Sequence, residues 1–98
     1  MPNRTYGADD KDVVAPMIVR QDIPALPQTA IAMARQRGLL EVVVDEQGRV
    51  AGMAVRGSIH PTYDSLLLAA ARDWKYKPAM LNGQPVKYRK LIQVTVKK

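Results

Sequence analysis

The sequence contains no cysteine, a single histidine and no apolar run approaching the length of a membrane span. Without cysteine there is no disulfide framework, no thiolate metal site and no cysteine nucleophile. One histidine and no dense carboxylate cluster leave no ligand set for zinc or calcium. No stretch reaches the roughly 18 apolar residues that a transmembrane helix requires. The opening residues Met1 to Tyr6 lack the apolar core of a signal peptide. A glycine-rich phosphate loop, a zinc-finger spacing and an RNA-binding motif are missing as well.

What remains is a chain of 98 residues, 47% of them apolar, which suits one globular domain with a modest core. With no signal peptide or membrane span, the expectation is either a cytosolic protein or one domain cut from a longer chain. Acidic residues are scarce: nine Asp and Glu face fifteen Lys and Arg, for a net charge of +6. A basic balance invites a nucleic-acid reading, but the charge is uneven. Residues 1–22 carry Arg4, Lys11 and Arg20 against Asp9, Asp10, Asp12 and Asp22, a net of −1. Residues 23–71 balance. Residues 72–98 hold Arg72, Lys75, Lys77, Lys87, Arg89, Lys90, Lys97 and Lys98 against Asp73 alone, a net of +7.

Residues 1–12 are polar and aperiodic and read as a linker or disordered end, leaving 13–98 as the folded domain. Val13 to Ile23 is extended in character, and Pro16 and Pro24 keep it out of a central strand. Pro27 suits the first position of a short helix over Gln28–Arg37, with Ala30, Ile31 and Ala34 on one face and Gly38 as its C-cap. From Leu39 to Asp45 the chain is apolar and β-branched, with Leu40, Val42 and Val44 on one side. The loop Glu46-Gln47-Gly48 then leads into a second strand over Arg49–Arg56, a hairpin signal. In that strand Met53 and Val55 fall out of phase with Val50, so Gly52 is expected to mark a bulge. Pro61 begins a second helix, with Asp64 near the positive end of its dipole. Tyr63, Leu67, Ala70 and Trp74 form its apolar stripe, and Pro78 stops it. Asn82-Gly83 is a turn. Val86 to Val96 is the last strand, in which Val86, Tyr88, Ile92, Val94 and Val96 alternate with Lys87, Arg89, Gln93, Thr95 and Lys97. The expected fold is therefore α+β, in the order α-β-β-α-β. A three-stranded antiparallel sheet packs both helices on one face.

Four segments carry a resemblance to a known family. Val43-Val44-Asp45-Glu46-Gln47-Gly48-Arg49-Val50 is similar to a hairpin of the pattern vDxxGrV. Arg56 to Asp64 is similar to a helix entry, SSGhpxLD. Ala70-Ala71-Arg72-Asp73-Trp74-Lys75-Tyr76-Lys77-Pro78-Ala79 and Asn82-Gly83-Gln84-Pro85-Val86 resemble Avrxwrf+PA and nGkPV. In this order and spacing, over about 60 residues, they resemble the C-terminal domain of the TonB family. The resemblance implies a periplasmic, non-enzymatic domain of an energy transducer whose parent chain is anchored in the inner membrane. Its partner would be a TonB-dependent transporter of the outer membrane. The partner's extended segment would add as a strand to the free edge of the last strand, at Tyr88, Lys90, Leu91, Ile92, Gln93, Val94, Thr95 and Val96. A helix entry that in the family reads QPxYP would help to hold it. The matching stretch here is Ile23-Pro24-Ala25-Leu26-Pro27, so Pro24, Leu26 and Pro27 are the corresponding contacts, with Leu26 in place of the Tyr.

Other readings stand beside this one. The domain type also serves as an interaction module on other cell-envelope proteins, with no transport role. The free edge permits a homodimer. A small nucleic-acid-binding domain would use Trp74 and Tyr76 interleaved with Lys75 and Lys77. Trp74, however, is expected in the core, and no nucleic-acid partner is expected. The basic residues of the last strand read first as a solvated sheet face that guards an edge, and second as an attraction for an acidic segment or anionic headgroups. His60 and Asp64 form no catalytic constellation without a nucleophile, and no cofactor is expected.

Overall fold

The computed structural model of the chain describes residues 4–25 and 37–95. Its strands are β1 (Thr5–Tyr6), β2 (Val13–Val14), β3 (Met17–Arg20), β4 (Arg37–Val44), β5 (Val50–Gly57), β6 (Lys75–Lys77), β7 (Ala79–Leu81) and β8 (Gln84–Thr95). One helix, α1 (Pro61–Ala71), lies between β5 and β6.

The centre is an antiparallel sheet of β5, β4 and β8, with β4 in the middle. β4 earns that place by composition. Leu40, Val42 and Val44 are completely buried and alternate with Leu39, Glu41 and Val43 on the open face. The expected bulge in β5 is present. Val43 pairs with Gly52 and Val44 with Val50, which leaves Ala51 as the extra residue. That single insertion brings Val50, Met53 and Val55 opposite Val44, Val42 and Leu40, all packed against the core. The connecting turn is held by Asp45, whose Oδ1 accepts the amides of Gln47 and Arg49, both at 2.9 Å.

Helix α1 begins where the sequence says. His60 is the N-cap, with Nδ1 accepting the Thr62 amide at 3.2 Å, and Pro61 stands in the first turn. Asp64 accepts the Ile59 amide at 3.1 Å and the Ser58 hydroxyl. Tyr63, Leu67 and Ala71 bury one face against Leu40, Val42, Ile92 and Val94. The helix ends at Ala71 and does not run on to Pro78. The amides of Asp73 and Trp74 fold back onto the carbonyls of Ala70 and Ala71, and the chain turns into β6. Trp74 is buried as expected, but from the turn after the helix.

The expected sheet and helix count needs correction. The sheet has six strands, because β7 pairs with β8, β2 with β7, and β1 with β8. A separate two-stranded sheet joins β3 to β6. Among the described residues there is one helix. The first helix expected over 28–37 lies, except for Arg37, outside the described residues. Arg37 and Gly38, expected to end and cap that helix, instead open β4, where Gly38 is buried opposite Val94. A Cβ at Gly38 would stand 2.6 Å from Ile59 Cγ1 and 2.8 Å from the Gly57 carbonyl, so the close approach of β4 and β5 requires glycine there. Thr5 and Tyr6, inside the stretch expected to be linker, form β1.

Candidate functional site

β8 runs the length of the sheet, and its two sides are occupied differently. On one side β4 pairs with it from Tyr88 to Thr95. β7 takes Gln84 to Val86 through the Asn82-Gly83 turn. On the side away from β4, β1 takes Lys87 and Tyr88 in parallel. From Arg89 to Thr95 no described strand lies on that outer side. Among the described residues a seven-residue stretch of backbone is thus left at an edge, the arrangement that accepts an added strand. Asp10 sets where β1 stops. Its carboxylate accepts the Gly7 amide at 2.8 Å, and its own amide bonds the Gly7 carbonyl at 2.9 Å, so the chain turns away from β8 after Tyr6.

The edge carries two rows of side chains. Tyr88, Ile92 and Val94 face the core and are buried, with Lys90 half-buried in the same row. Arg89, Leu91, Gln93 and Thr95 face solvent, and Leu91 is 59% exposed. The open face is charge-paired rather than uniformly basic. Glu41 Oε2 lies 3.2 Å from Arg56 Nη2 and 3.6 Å from Arg89 Nε. Such exposed pairs contribute little stability but fill the wet face with polar groups.

The segment before the undescribed residues is tied to the core by three aromatic tips. Tyr76 Oη donates to Gln21 Oε1 at 2.5 Å, Trp74 Nε1 to the Asp22 carbonyl at 2.9 Å, and Tyr63 Oη to the Pro24 carbonyl at 2.7 Å. Burial raises the Tyr63 hydroxyl above its ordinary pKa and pushes Tyr76 up to about 12. Lys90 Nζ sits 4.9 Å from the centroid of the Tyr76 ring. Gln21 and Lys90 therefore meet the same aromatic ring, one at its hydroxyl and one over its face.

Of the sequence-expected contacts, Tyr88, Lys90, Leu91, Ile92, Gln93, Val94 and Thr95 all lie on β8, and Pro24 is held by Tyr63 at the start of α1. Leu26, Pro27 and Val96 lie outside the described residues. Sequence reasoning did not find β1 or Gln21. Thr5-Tyr6 is too short for a period, and nothing local marks Gln21 as the partner of a tyrosine 55 positions away. The aromatic pair weighed as a stacking surface is not one, since Trp74 and Tyr76 are both buried. The imidazole of His60 and the carboxylate of Asp64 are each spent on the helix start.

Comparison with known proteins accords with this geometry. The chain superimposes on the solution NMR structure of the Pseudomonas aeruginosa TonB C-terminal domain with a TM-score of 0.60, over 97% of both chains and at 21% identity, a likeness of fold. No curated protein sequence matches the chain. The family model for the Gram-negative bacterial TonB protein C-terminal region matches residues 22–96, and the chain accordingly belongs to the TonB C-terminal domain family.

Proposed function

We propose that this domain is a non-enzymatic periplasmic adaptor that binds an extended segment of an outer-membrane TonB-dependent transporter. The segment would add as a strand to Arg89–Thr95 and couple the transporter to energy from the inner membrane. Membership of the TonB C-terminal family supports a protein-interaction role. The observation that carries the mechanism is the seven-residue outer side of β8, bounded by β1 and lacking a described neighbour. Main-chain hydrogen bonds along such an edge supply affinity, and alternate side chains fix register. The parent chain would be anchored in the inner membrane, so that force applied at the anchor reaches the docked strand.

An NMR titration of the labelled domain with peptides from transporter N-terminal segments tests this. Amides from Arg89 to Thr95 should shift and gain exchange protection as the ladder forms. Shifts confined to residues outside β8 would sink the strand-addition site. A second reading keeps the fold and the edge but assigns a cell-envelope partner without a transport role. It draws support from Leu26, which stands where the family pattern has Tyr, and from Ile23 and Ala25, where Gln often stands. Under it the transporter peptides leave β8 unmoved, while the domain still captures an envelope partner through that edge. Self-pairing of two copies at the same edge would appear as a concentration-dependent dimer that the partner peptide dissolves.

A further inference from the structure

The core-facing row of β8 contains one charged residue. Tyr88, Ile92 and Val94 are buried apolar side chains, and between Tyr88 and Ile92 stands Lys90. A lysine is rarely placed in such a row without a partner for its charge. Its β4 neighbour is Val42, which is completely buried. Its ammonium lies over the Tyr76 ring, and no carboxylate among the described residues forms an ion pair with it. Burial accordingly pushes Lys90 below the ordinary lysine value. On the outer side of β8, at this same position, a cleft of about 460 Å³ opens between the strand and the Gly7–Asp9 turn. Gly7, Ala8 and Ala15 line its far wall and leave room for a side chain; Asp9, exposed at the rim, is the acidic group facing it.

We infer that Lys90 makes this edge selective for a partner strand bearing a carboxylate side chain on its core-facing side, seated in the cleft beside β1. The inference rests on the strand-addition reading. In a sheet, directly opposed residues of neighbouring strands point to the same face, with Cβ atoms about 4.5–5.5 Å apart. A strand docked on Arg89–Thr95 therefore presents one core-facing side chain to Lys90 and the next ones to Ile92 and Val94. An Asp or Glu at the first place gives the ammonium a charged partner in a half-desolvated site. A hydrophobe there would bury the ammonium against apolar surface, so the same lysine discriminates against fully apolar strands. Arg89 does not duplicate this role, since it points to the open face and is engaged by Glu41.

The test uses a synthetic seven-residue peptide of alternating Thr and Val, with each position in turn replaced by Glu or by Gln. Each peptide is titrated into the labelled domain, and the Arg89–Thr95 amides report binding. Glu should bind about fivefold more tightly than Gln, the size of a modest charge-assisted contact. That preference should appear at one core-facing position and not at its sequence neighbours. It should vanish in Lys90→Met and in Lys90→Gln, whose thermal unfolding verifies that they fold, and persist in Arg72→Gln, which removes one exposed charge elsewhere. A Glu preference at every position, falling equally in Arg72→Gln and Lys90→Met, would assign the effect to net charge and overturn the inference. So would equal binding of Glu and Gln peptides, with β8 still shifting; strand addition would survive that result. If no peptide moves the β8 amides, strand addition itself fails, and the role of Lys90 with it.

Discussion

Gly48 and Gly83 share a left-handed backbone, with φ of +81 and +80, but their surroundings differ. A Cβ at Gly83 meets nothing within 4 Å, whereas a Cβ at Gly48 would lie 1.8 Å from the Tyr76 carbonyl oxygen. Gly48 is the point where the β4–β5 turn backs onto β6, and its carbonyl accepts the Tyr76 amide at 2.9 Å. Gly83→Ala should therefore cost only the left-handed strain of about 1–2 kcal/mol. Gly48→Ala adds an overpacking cost that parts the turn from β6, for a total of ~3 kcal/mol or more by urea unfolding. Sequence pattern marks both as turn glycines, and only the packing separates them. Tyr76 gives a second prediction at this scale. Its folded pKa of about 12 lies above the unfolded value near 10, so the native state holds the proton longer. The stabilisation this represents is complete below about pH 10 and is lost as pH rises toward about 12. Tyr63 shifts in the same direction. Stability should decline over that interval in the native sequence, and more gently in Tyr76→Phe. That variant also loses the Gln21 bond, at about 0.5–1.5 kcal/mol near neutral pH.

Among the elements, the start of α1 was legible and its end was not. The Pro61 and Asp64 signals are local, because a cap uses the residues adjoining it. Asp64→Ala removes the acceptor for Ile59 and Ser58 and should cost about 0.5–2 kcal/mol in urea unfolding, with α1 amides exchanging faster than those of β4. The end was masked by a coincidence of spacing: Trp74 falls in helical phase with Tyr63, Leu67 and Ala70, yet it reaches the core from a turn. Both routes bury the indole, so periodicity does not separate them. The strands divide the same way. β4 and β8 alternate cleanly because each has one core face and one open face. β6 has three residues and exists because β3, more than 50 positions earlier, pairs with it. No three-residue pattern announces such a neighbour.

Across the whole molecule, β1 defines what the last strand offers. By covering Lys87 and Tyr88 it shortens the open side of β8 to Arg89–Thr95, and the Gly7–Asp9 turn that follows it forms one wall of the cleft beside Lys90. Two paired residues are a small element, worth little against global stability. Deleting residues 1–7 should therefore leave the unfolding midpoint almost unchanged. Hydrogen exchange at Lys87 and Tyr88 should rise, and a docked peptide should be able to extend its protected ladder to those two positions. An unchanged exchange pattern would show that β1 does not close the edge. The net charge of +6 also takes its meaning here. Glu41 draws Arg56 and Arg89 together on the open face, and Lys90 turns inward to set its ammonium over the Tyr76 ring.

The amino-acid sequence alone set the β4–β5 hairpin with its bulge, the start of α1, the two-faced last strand and, through four ordered motifs, the family. These follow from alternation, turn chemistry and capping, which act over a few residues and leave their mark in adjacent letters. Contacts in three dimensions alone place Gly38 in a strand, end α1 at Ala71, give Gln21 to Tyr76 and lay β1 on β8. Each of those depends on contacts between segments far apart in the chain, and pairing energy of that kind has no local periodicity to read.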